Sequence, residues 1–546
     1  MTTPGMGSTA DPSDVYDVAV VGFGPSGAVA AGLLGGQGLR TFVCDAATEV
    51  YALPRAFALD HEIMRVFQQL GLAEQVLEFT EPFTPSEFYG VDGQLIKRFT
   101  TVAPPYPLGY VPSLVFSQPP VERLLRSHAS GLPSVTVALG CEVTAVRPET
   151  DGVALVARNA DGSNRTVRAR YVVACDGASS RVRQGAGIAL EDLGFDEPWL
   201  VVDVKVNPQG LAKLPKTSVQ FCEPTRPCTF LIGPDDHRRW EIALNEDEDR
   251  QHAATPEGAW ALLSRWITPA DGTLWRQATY RFHALVADQW QVGRLFVAGD
   301  AAHQQPPFLG QGMCQGIRDV TNLSWKLGAV IRGEADDSLL HSYGEERKMH
   351  VTELTTRIKA IGQIVGQRDV AKARARDAHL LAECGGVVKS VPRQNVQPAL
   401  TQGLLSPQLH PARGTLFPQP WMLGGVDGQQ RIRLDLLLGY GWRLVVRVNV
   451  LLPESLSAAT ATLQLRTCRL AGATVELGCW SEADGVLAGW FSEFACNAAL
   501  IRPDHYVYGV AQDAGEIAAL VASAADGVHS PKVALRVERQ ITQSVV

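Results

Sequence analysis

The sequence predicts an α/β protein of several domains, on three observations. A short apolar run, a glycine-rich turn, a helical stretch and a second apolar run ending in an acid follow one another over residues 15–45. Strand-like alternation of apolar and polar residues recurs over 135–174, and strands with loops over 191–290. After a Pro- and Gln-rich stretch, residues 430–546 alternate strands and helices again. A chain of 546 residues holds three to four units at roughly 150 residues each.

Composition narrows the class. The chain is 46% hydrophobic and 19% charged, enough apolar material for a large core and too much for disorder. Lys plus Arg total 49 against 57 Asp plus Glu, a formal charge of -8 with no basic stripe, which argues against nucleic acid as a partner. No two of the ten cysteines have C-x-x-C spacing, so neither a zinc ribbon nor a redox pair is expected, and no metal site. The start, MTTPGMGSTADPSDVYD, has no positive region or apolar stretch of a signal peptide. The run LDLLLGYGWRLVVRVNVLL is broken by Gly, Arg and Asp, so no membrane span is expected. A cytoplasmic protein is the expectation.

Residues 1–14 are polar and read as a disordered leader. Residues 15–21 (VYDVAVV) read as a buried strand, the Ala- and Leu-rich stretch to about Gly35 as a helix, and LRTFVCD as a second strand. Between them Gly22, Gly24 and Gly27 form G-x-G-x-x-G at a helix start. Gly22 permits the tight turn, Gly24 lets the backbone approach a pyrophosphate, and Gly27 allows helix and strand to pack closely; Ser26 lies within the same turn. Asp45 ends the second strand, placed to accept from a ribose hydroxyl. This is a dinucleotide fingerprint, and the glycines alone leave FAD and NAD open.

Further along, residues 100–115 read as an irregular loop and SQPPVERLLRSHA as a helix with Pro near its start. The stretch 135–174 reads as antiparallel strands. Within YVVACDGASSRVR, Asp176 and Gly177 end a strand, with Ser180 and Arg183 following. RLFVAGDAAHQQPPFLGQGMCQGIRD ends another strand at Gly299 and Asp300; Pro306, Pro307, Gly310 and Gly312 make a loop before a long helix.

The three motifs, in this order over about 330 residues, resemble the single-component (class A) FAD-dependent aromatic hydroxylases. The resemblance implies an FAD-binding Rossmann-like domain of the glutathione-reductase type, an inserted β-sheet substrate domain and a C-terminal thioredoxin-like domain. The expected boundaries are 15–190 and 291–395 for the FAD-binding unit with its helical region, 191–290 for the substrate sheet, and 396–546 for linker and terminal domain. It implies FAD as cofactor, NADH or NADPH as co-substrate, and O2. Asp176 of the D-G motif would serve both FAD and the nicotinamide, and Asp300, Pro307, Gly312 and Met313 would lie at the FAD. Arg55 in LPRAFALD and Gln118 in FSQPPVERLL match positions beside the cofactor. Where the family commonly has Asn, this chain has Cys314, read as a small buried packing residue.

Within the family, the run CEPTRPCTFLIGPDDHRRWEIAL and the overall length resemble 3-(3-hydroxyphenyl)propionate hydroxylases. The implied reaction passes through a flavin C4a-hydroperoxide and hydroxylates a phenol ortho to its hydroxyl, with a 3-(3-hydroxyphenyl)propionate-type acid as the expected substrate. Nitrocatechol or other phenol monooxygenases, polyaromatic tailoring hydroxylases, Baeyer–Villiger-type relatives and a flavin-binding protein without oxygenase activity stay open. The chemistry needs a base near the phenol and a dry pocket. The base is left among His61, His237 and His303, because phenol hydroxylases carry an aspartate where this chain has Phe57. Pro306, Pro307 and Phe308 suit an apolar pocket wall. Arg238 or Arg239 could hold a substrate carboxylate, and in a strand only one of them faces the pocket. Without C-x-x-C, the terminal domain is assigned to stability or to contacts in a homodimer.

Overall fold

The computed structural model describes residues 15–424, 430–447, 450, 452, 461–471, 474–475 and 480–529. The leader 1–14 and Cys479 lie outside the described residues. Three large sheets organise the chain.

In the first sheet, Leu295–Val297, Asn164–Ala174, Val15–Val21, Thr41–Asp45 and Val135–Leu139 lie side by side, each parallel to the next. Val18, Ala19 and Val20 have no exposed surface, as a strand covered on both faces requires. The stretch 135–174 is therefore not antiparallel throughout. Val135–Leu139 is a parallel edge strand. Asn164–Ala174 pairs antiparallel with Gly152–Asn159 at its start and parallel with Val15–Val21 from Arg168 onward. Alternation reports which face is buried and carries no information on direction. The helix Pro25–Gly36 packs on the long helix Gly312–Ile331. Gly316 makes the approach possible, since a Cβ there would lie 2.9 Å from Gly299 Cα and 2.3 Å from Ser26 Oγ.

The second sheet runs His303–Gln304, Gly272–Ala287, Leu190–Val206, His237–Ala243, Cys228–Ile232, Ser218–Phe221, Ser86–Tyr89, Leu95–Thr100 and Ser390–Pro392. It extends beyond 191–290 at both ends of the sequence. Phe88, Ile96 and Phe99 bury against the core formed by Phe195, Trp199, Phe308, Leu354 and Ile358, which draws the 86–100 hairpin into the sheet. The strands alternate faces. Leu200, Val202, Val204, Phe230, Trp240 and Ile242 pack on one side beneath the helix Pro256–Leu263; Val201, Gln220, Thr229, Arg239 and Glu241 face the other way, into a cavity.

The Pro- and Gln-rich stretch is no free linker. Leu400, Leu405 and Leu416 bury against Tyr506. Arg393 donates to Leu309 O at 2.7 Å, and Gln397 reaches Asp60 and Gln311. The third sheet includes Trp421–Gly424, Arg443–Arg447, Ala498–Ile501 and Val507–Ala511, with the helix Ala514–His529 packed on it. No helix among the described residues is long and apolar enough to cross a membrane, and no group of three His, Cys, Asp or Glu there is arranged to hold a metal.

Candidate active site

A cavity of about 1020 Å³ runs from the glycine turn of the first sheet to the inward face of the second. Gly22, Gly24 and Ser26 line one end. Gly22 has φ +94°, and a Cβ there would lie 2.3 Å from Cys175 O. A Cβ on Gly24 would meet nothing within 4 Å, so backbone faces open space. Gly27 lies beneath, its missing Cβ making room for Gly22 O. No side chain caps the helix Pro25–Gly36, which leaves its first N–H groups turned toward the cavity.

Asp45 lines the same end and already accepts from Phe23 N at 2.7 Å and Ala47 N at 2.8 Å, which fixes its carboxylate. Beside it Gln118 accepts from Ala56 N at 2.6 Å and donates to Glu122 at 3.0 Å, while Arg55 stacks over Tyr51. Asp176 accepts from the Ser180 hydroxyl at 2.5 Å and from Val182 N at 3.2 Å, capping its own turn while lining the cavity. Arg183 donates to Ala178 O and Ala301 O, both at 3.1 Å, and so pins that turn to the Gly299–Asp300 loop. Enclosure by the walls raises the Asp300 carboxyl, against the pull of His303 and Arg55. Gly312 and Met313 at the head of the long helix, with Pro307 and Phe308, complete the wall. Pro306 is buried outside the lining. Cys314 is fully buried, its thiol 3.6 Å from Ala58 O.

The three histidines stand outside this cavity. His303 donates or accepts at Asp319 (2.8 Å) and stacks on Trp290; the same Asp319 accepts from Gly299 N, so the pair braces the turn from below. His237 pairs with Asp203 at 2.7 Å between Phe57 and Trp275, and burial lowers its pKa despite that partner. His61 lines a separate cavity of about 120 Å³, with burial lowering its pKa to about 4.

Of the two arginines, Arg238 turns away and donates to the carbonyls of Gly233, Asp235 and His237. Arg239 faces inward but is engaged: Nε and Nη2 meet Asp203 at 2.7 and 3.1 Å, and Nη1 meets Arg55 O at 2.8 Å. Burial alone would raise Asp203, and Arg239 with His237 holds it below the usual carboxylate range. Three residues at this inner end lie outside the sequence-derived set. Glu241 lines the cavity with Oε2 buried and unpartnered; burial pushes its carboxyl up to about 7 against Arg239 and Arg276. Arg276 donates to Pro54 O at 2.6 Å and to Tyr280, leaving Nε unpartnered. Gln305 has neither amide atom partnered. The period-2 alternation of HRRWE carried one usable signal, since Glu241 shares a face with Arg239.

Residues 15–358 match the family described as FAD binding domain, and residues 414–526 match the HcaD C-terminal domain. A probable NADH-specific resorcinol 4-hydroxylase of Rhodococcus jostii (strain RHA1) is 38% identical over 95% of this chain and 95% of its own. The 3-(3-hydroxy-phenyl)propionate/3-hydroxycinnamic acid hydroxylase of Burkholderia cenocepacia (strain HI2424) is 32% identical, covering 91% of this chain and 94% of that one.

The chain belongs to the FAD-dependent aromatic hydroxylases. Two solved members of this fold align along nearly the whole length. The flavin-dependent monooxygenase PieE, solved with FAD and substrate, has a TM-score of 0.78 at 20% identity, covering 95% of this chain and all (100%) of that one. Aklavinone-11 hydroxylase, solved with FAD and aklavinone, has a TM-score of 0.75 at 23% identity, covering 94% and 99%. An FAD-dependent aromatic hydroxylase works with FAD, a reduced nicotinamide and O2. The residues here fit such a dinucleotide: open backbone at Gly24, uncapped helical N–H groups, and an orphaned buried amide at Gln305.

Proposed function

We propose that this FAD-dependent enzyme uses NADH and O2 to hydroxylate a small 1,3-dihydroxybenzene ortho to one of its hydroxyls. The observation that carries the choice of a neutral substrate is the engagement of Arg239. The inward arginine that an acid would seek is already neutralised by Asp203 and held by Arg55 O, so a carboxylate would have to displace a buried ion pair. The Rhodococcus relative, a probable NADH-specific resorcinol 4-hydroxylase, supports both resorcinol and NADH. A cytoplasmic setting goes with that demand for NADH.

In this assignment Gly22, Gly24 and Ser26 receive the pyrophosphate of FAD, Gly27 lets the helix pack closely beneath them, and Asp45 takes the ribose. Arg55, Gln118, Asp176, Asp300, Pro307, Gly312 and Met313 hold the remainder. Once reduced by NADH, the flavin supplies the activation of O2 for transfer of one oxygen atom to the ring. The chain supplies position and dryness. Phe57, Phe282, Phe308 and Leu309 enclose the inner end in apolar surface, which restricts water where the oxygen is delivered. Residues 15–190 and 291–395 carry the cofactor, 191–290 contribute the substrate sheet, and 396–546 brace the whole.

A second reading, a 3-(3-hydroxyphenyl)propionate-type acid, is favoured by one observation: the buried Arg276 Nε on the cavity wall has no partner. NADH and NADPH oxidation, hydroxylated product and hydrogen peroxide are to be measured with resorcinol and with 3-(3-hydroxyphenyl)propionate. Resorcinol with NADH is expected to give stoichiometric product. Product from the acid alone would transfer the assignment to the second reading, and peroxide without product from either would remove both.

A further inference from the structure

The cavity ends on a carboxylate that the fold leaves without a donor. Glu241 lies in the strand His237–Ala243, directly across from Thr229 on one side and Val201 on the other. Its residue surface is 3% exposed, and Oε2 is buried with no hydrogen-bond partner. None of its neighbours donates to it, although Arg276 Nε on the same wall is also without a partner. Thr229 gives its hydroxyl to Gln220 at 2.5 Å. Arg239 pairs with Asp203, and Arg276, 3.7 Å from Asp203, donates to Pro54 O. A buried acceptor without a donor is costly, and one on a cavity wall calls for a donor from the ligand.

Building on the assignment of a phenolic substrate, we propose that Glu241 is the catalytic base, accepting the proton of the substrate hydroxyl beside which the ring is oxidised. In this step the substrate O–H bond breaks, its electron pair stays on the ring oxygen, and the proton passes to the Glu241 carboxylate. The negative oxygen pushes density onto the ortho carbon, which becomes the nucleophile and forms a C–O bond to one atom of O2; the O–O bond breaks and the other atom leaves as water, with the two electrons supplied by NADH. When the ring regains aromaticity the ortho C–H proton leaves to water, and the ring oxygen takes a proton back from the Glu241 carboxyl. The charge setting suits the task. Arg239 and His237 flank Glu241 on its own strand, Asp203 faces it from Leu190–Val206, and Arg276 from Gly272–Ala287; Thr229 and Gln220 are neutral. Burial brings the carboxyl to about 7, between an ordinary carboxylate and a phenol of about 10, where a base is effective at neutral pH.

The test uses holoenzyme of Glu241→Gln and Glu241→Asp, matched for FAD content, with resorcinol as substrate. Product formation by the unaltered chain is expected to fall as pH drops through about 7. Glu241→Gln is expected to lose that limb and about 10²–10⁴-fold of kcat, with peroxide replacing product; Glu241→Asp is expected to restore part of both. As a measurement that needs no variant, 4-nitrophenol bound to the holoenzyme is to be titrated by its phenolate absorbance. Because it would share a proton with the Glu241 carboxylate, its titration is expected to be displaced from that in free solution. Unchanged kcat and pH limb in Glu241→Gln, or an unshifted 4-nitrophenol titration, overturns the proposal while leaving the resorcinol assignment standing. Failure of the unaltered holoenzyme to hydroxylate resorcinol defeats that assignment instead, and the 4-nitrophenol titration then decides Glu241 alone.

Discussion

Arg65 and Asp435, 370 residues apart in sequence, form a fully buried two-pronged ion pair, with Nη2 to Oδ1 at 2.8 Å and Nε to Oδ2 at 2.5 Å. The same carboxylate accepts from Arg443 at 2.8 Å, and Arg65 also donates to Phe417 O. Arg502 repeats the arrangement nearby, joining Glu346 of the helix His341–Val365 to Asp504. The terminal domain is thus fastened to the flavin-binding unit through buried charges that the two parts share.

Removing Arg65 takes from the buried Asp435 carboxylate one of its two arginine partners. Arg65→Met is expected to lower the stability of the full chain by about 1.5–3 kcal/mol, the loss of hydrogen bonds to a charged group, read as a lower urea midpoint with one unfolding transition for both ends of the chain. A loss under 1 kcal/mol, or early separate melting of the terminal domain, would contradict the fastening.

The Glu346 carboxylate gives this contact a pH dependence. Burial would raise it, but Arg502 and Lys326 hold it at about 2. The native state therefore binds this proton less tightly than the unfolded chain, where a Glu titrates near ~4.3. Its contribution is fully present above that value and is lost as pH falls through about 2. Glu346→Gln is expected to lower stability at pH 7 and to flatten the decline between pH 5 and 3, followed by thermal unfolding across that range. Parallel pH curves for the two proteins would assign the acid sensitivity elsewhere.

Gly24 is the position at which a side chain would enter the cavity, at the proposed pyrophosphate site, without disturbing protein. Since its Cβ would touch no other atom within 4 Å, Gly24→Val is expected to fold yet to retain less than about a tenth of the FAD, a difference of roughly 1.4 kcal/mol in binding. Visible absorbance against protein content checks it, and acid precipitation should free the flavin of the unaltered enzyme. Full retention in Gly24→Val would move the pyrophosphate off this turn.

The nucleotide end was legible because its features are local. A glycine at φ +94°, an uncapped helix start and an acid at a strand end are written within residues 15–45. The inner end is assembled from strands whose partners lie far apart. Nothing in HRRWE announces that Asp203 would claim both His237 and Arg239, or that Glu241 would be left with none. His303 likewise takes its meaning from Asp319 beneath the turn. The stretch after residue 390 misled by composition: its Pro and Gln read as linker, while Leu400, Leu405 and Leu416 supply the contacts that dock it.

The ribbon formed by Leu190–Val206 and Gly272–Ala287 works as a mechanical link between the two halves of the cavity. Its second strand carries Arg276, Tyr280 and Phe282 on the cavity wall, and its far end is hydrogen-bonded to the flavin side, Leu285 to Gln304 and Val286 to His303. These walls share one backbone lattice, so they shift together and hold their spacing. Tyr51 and Arg55 also line the cavity, exposed on a stretch between strands that this lattice does not include. The cavity thus has one wall of continuous sheet and another formed by a stretch that no strand pairs, and the second is the wall that local opening would loosen first.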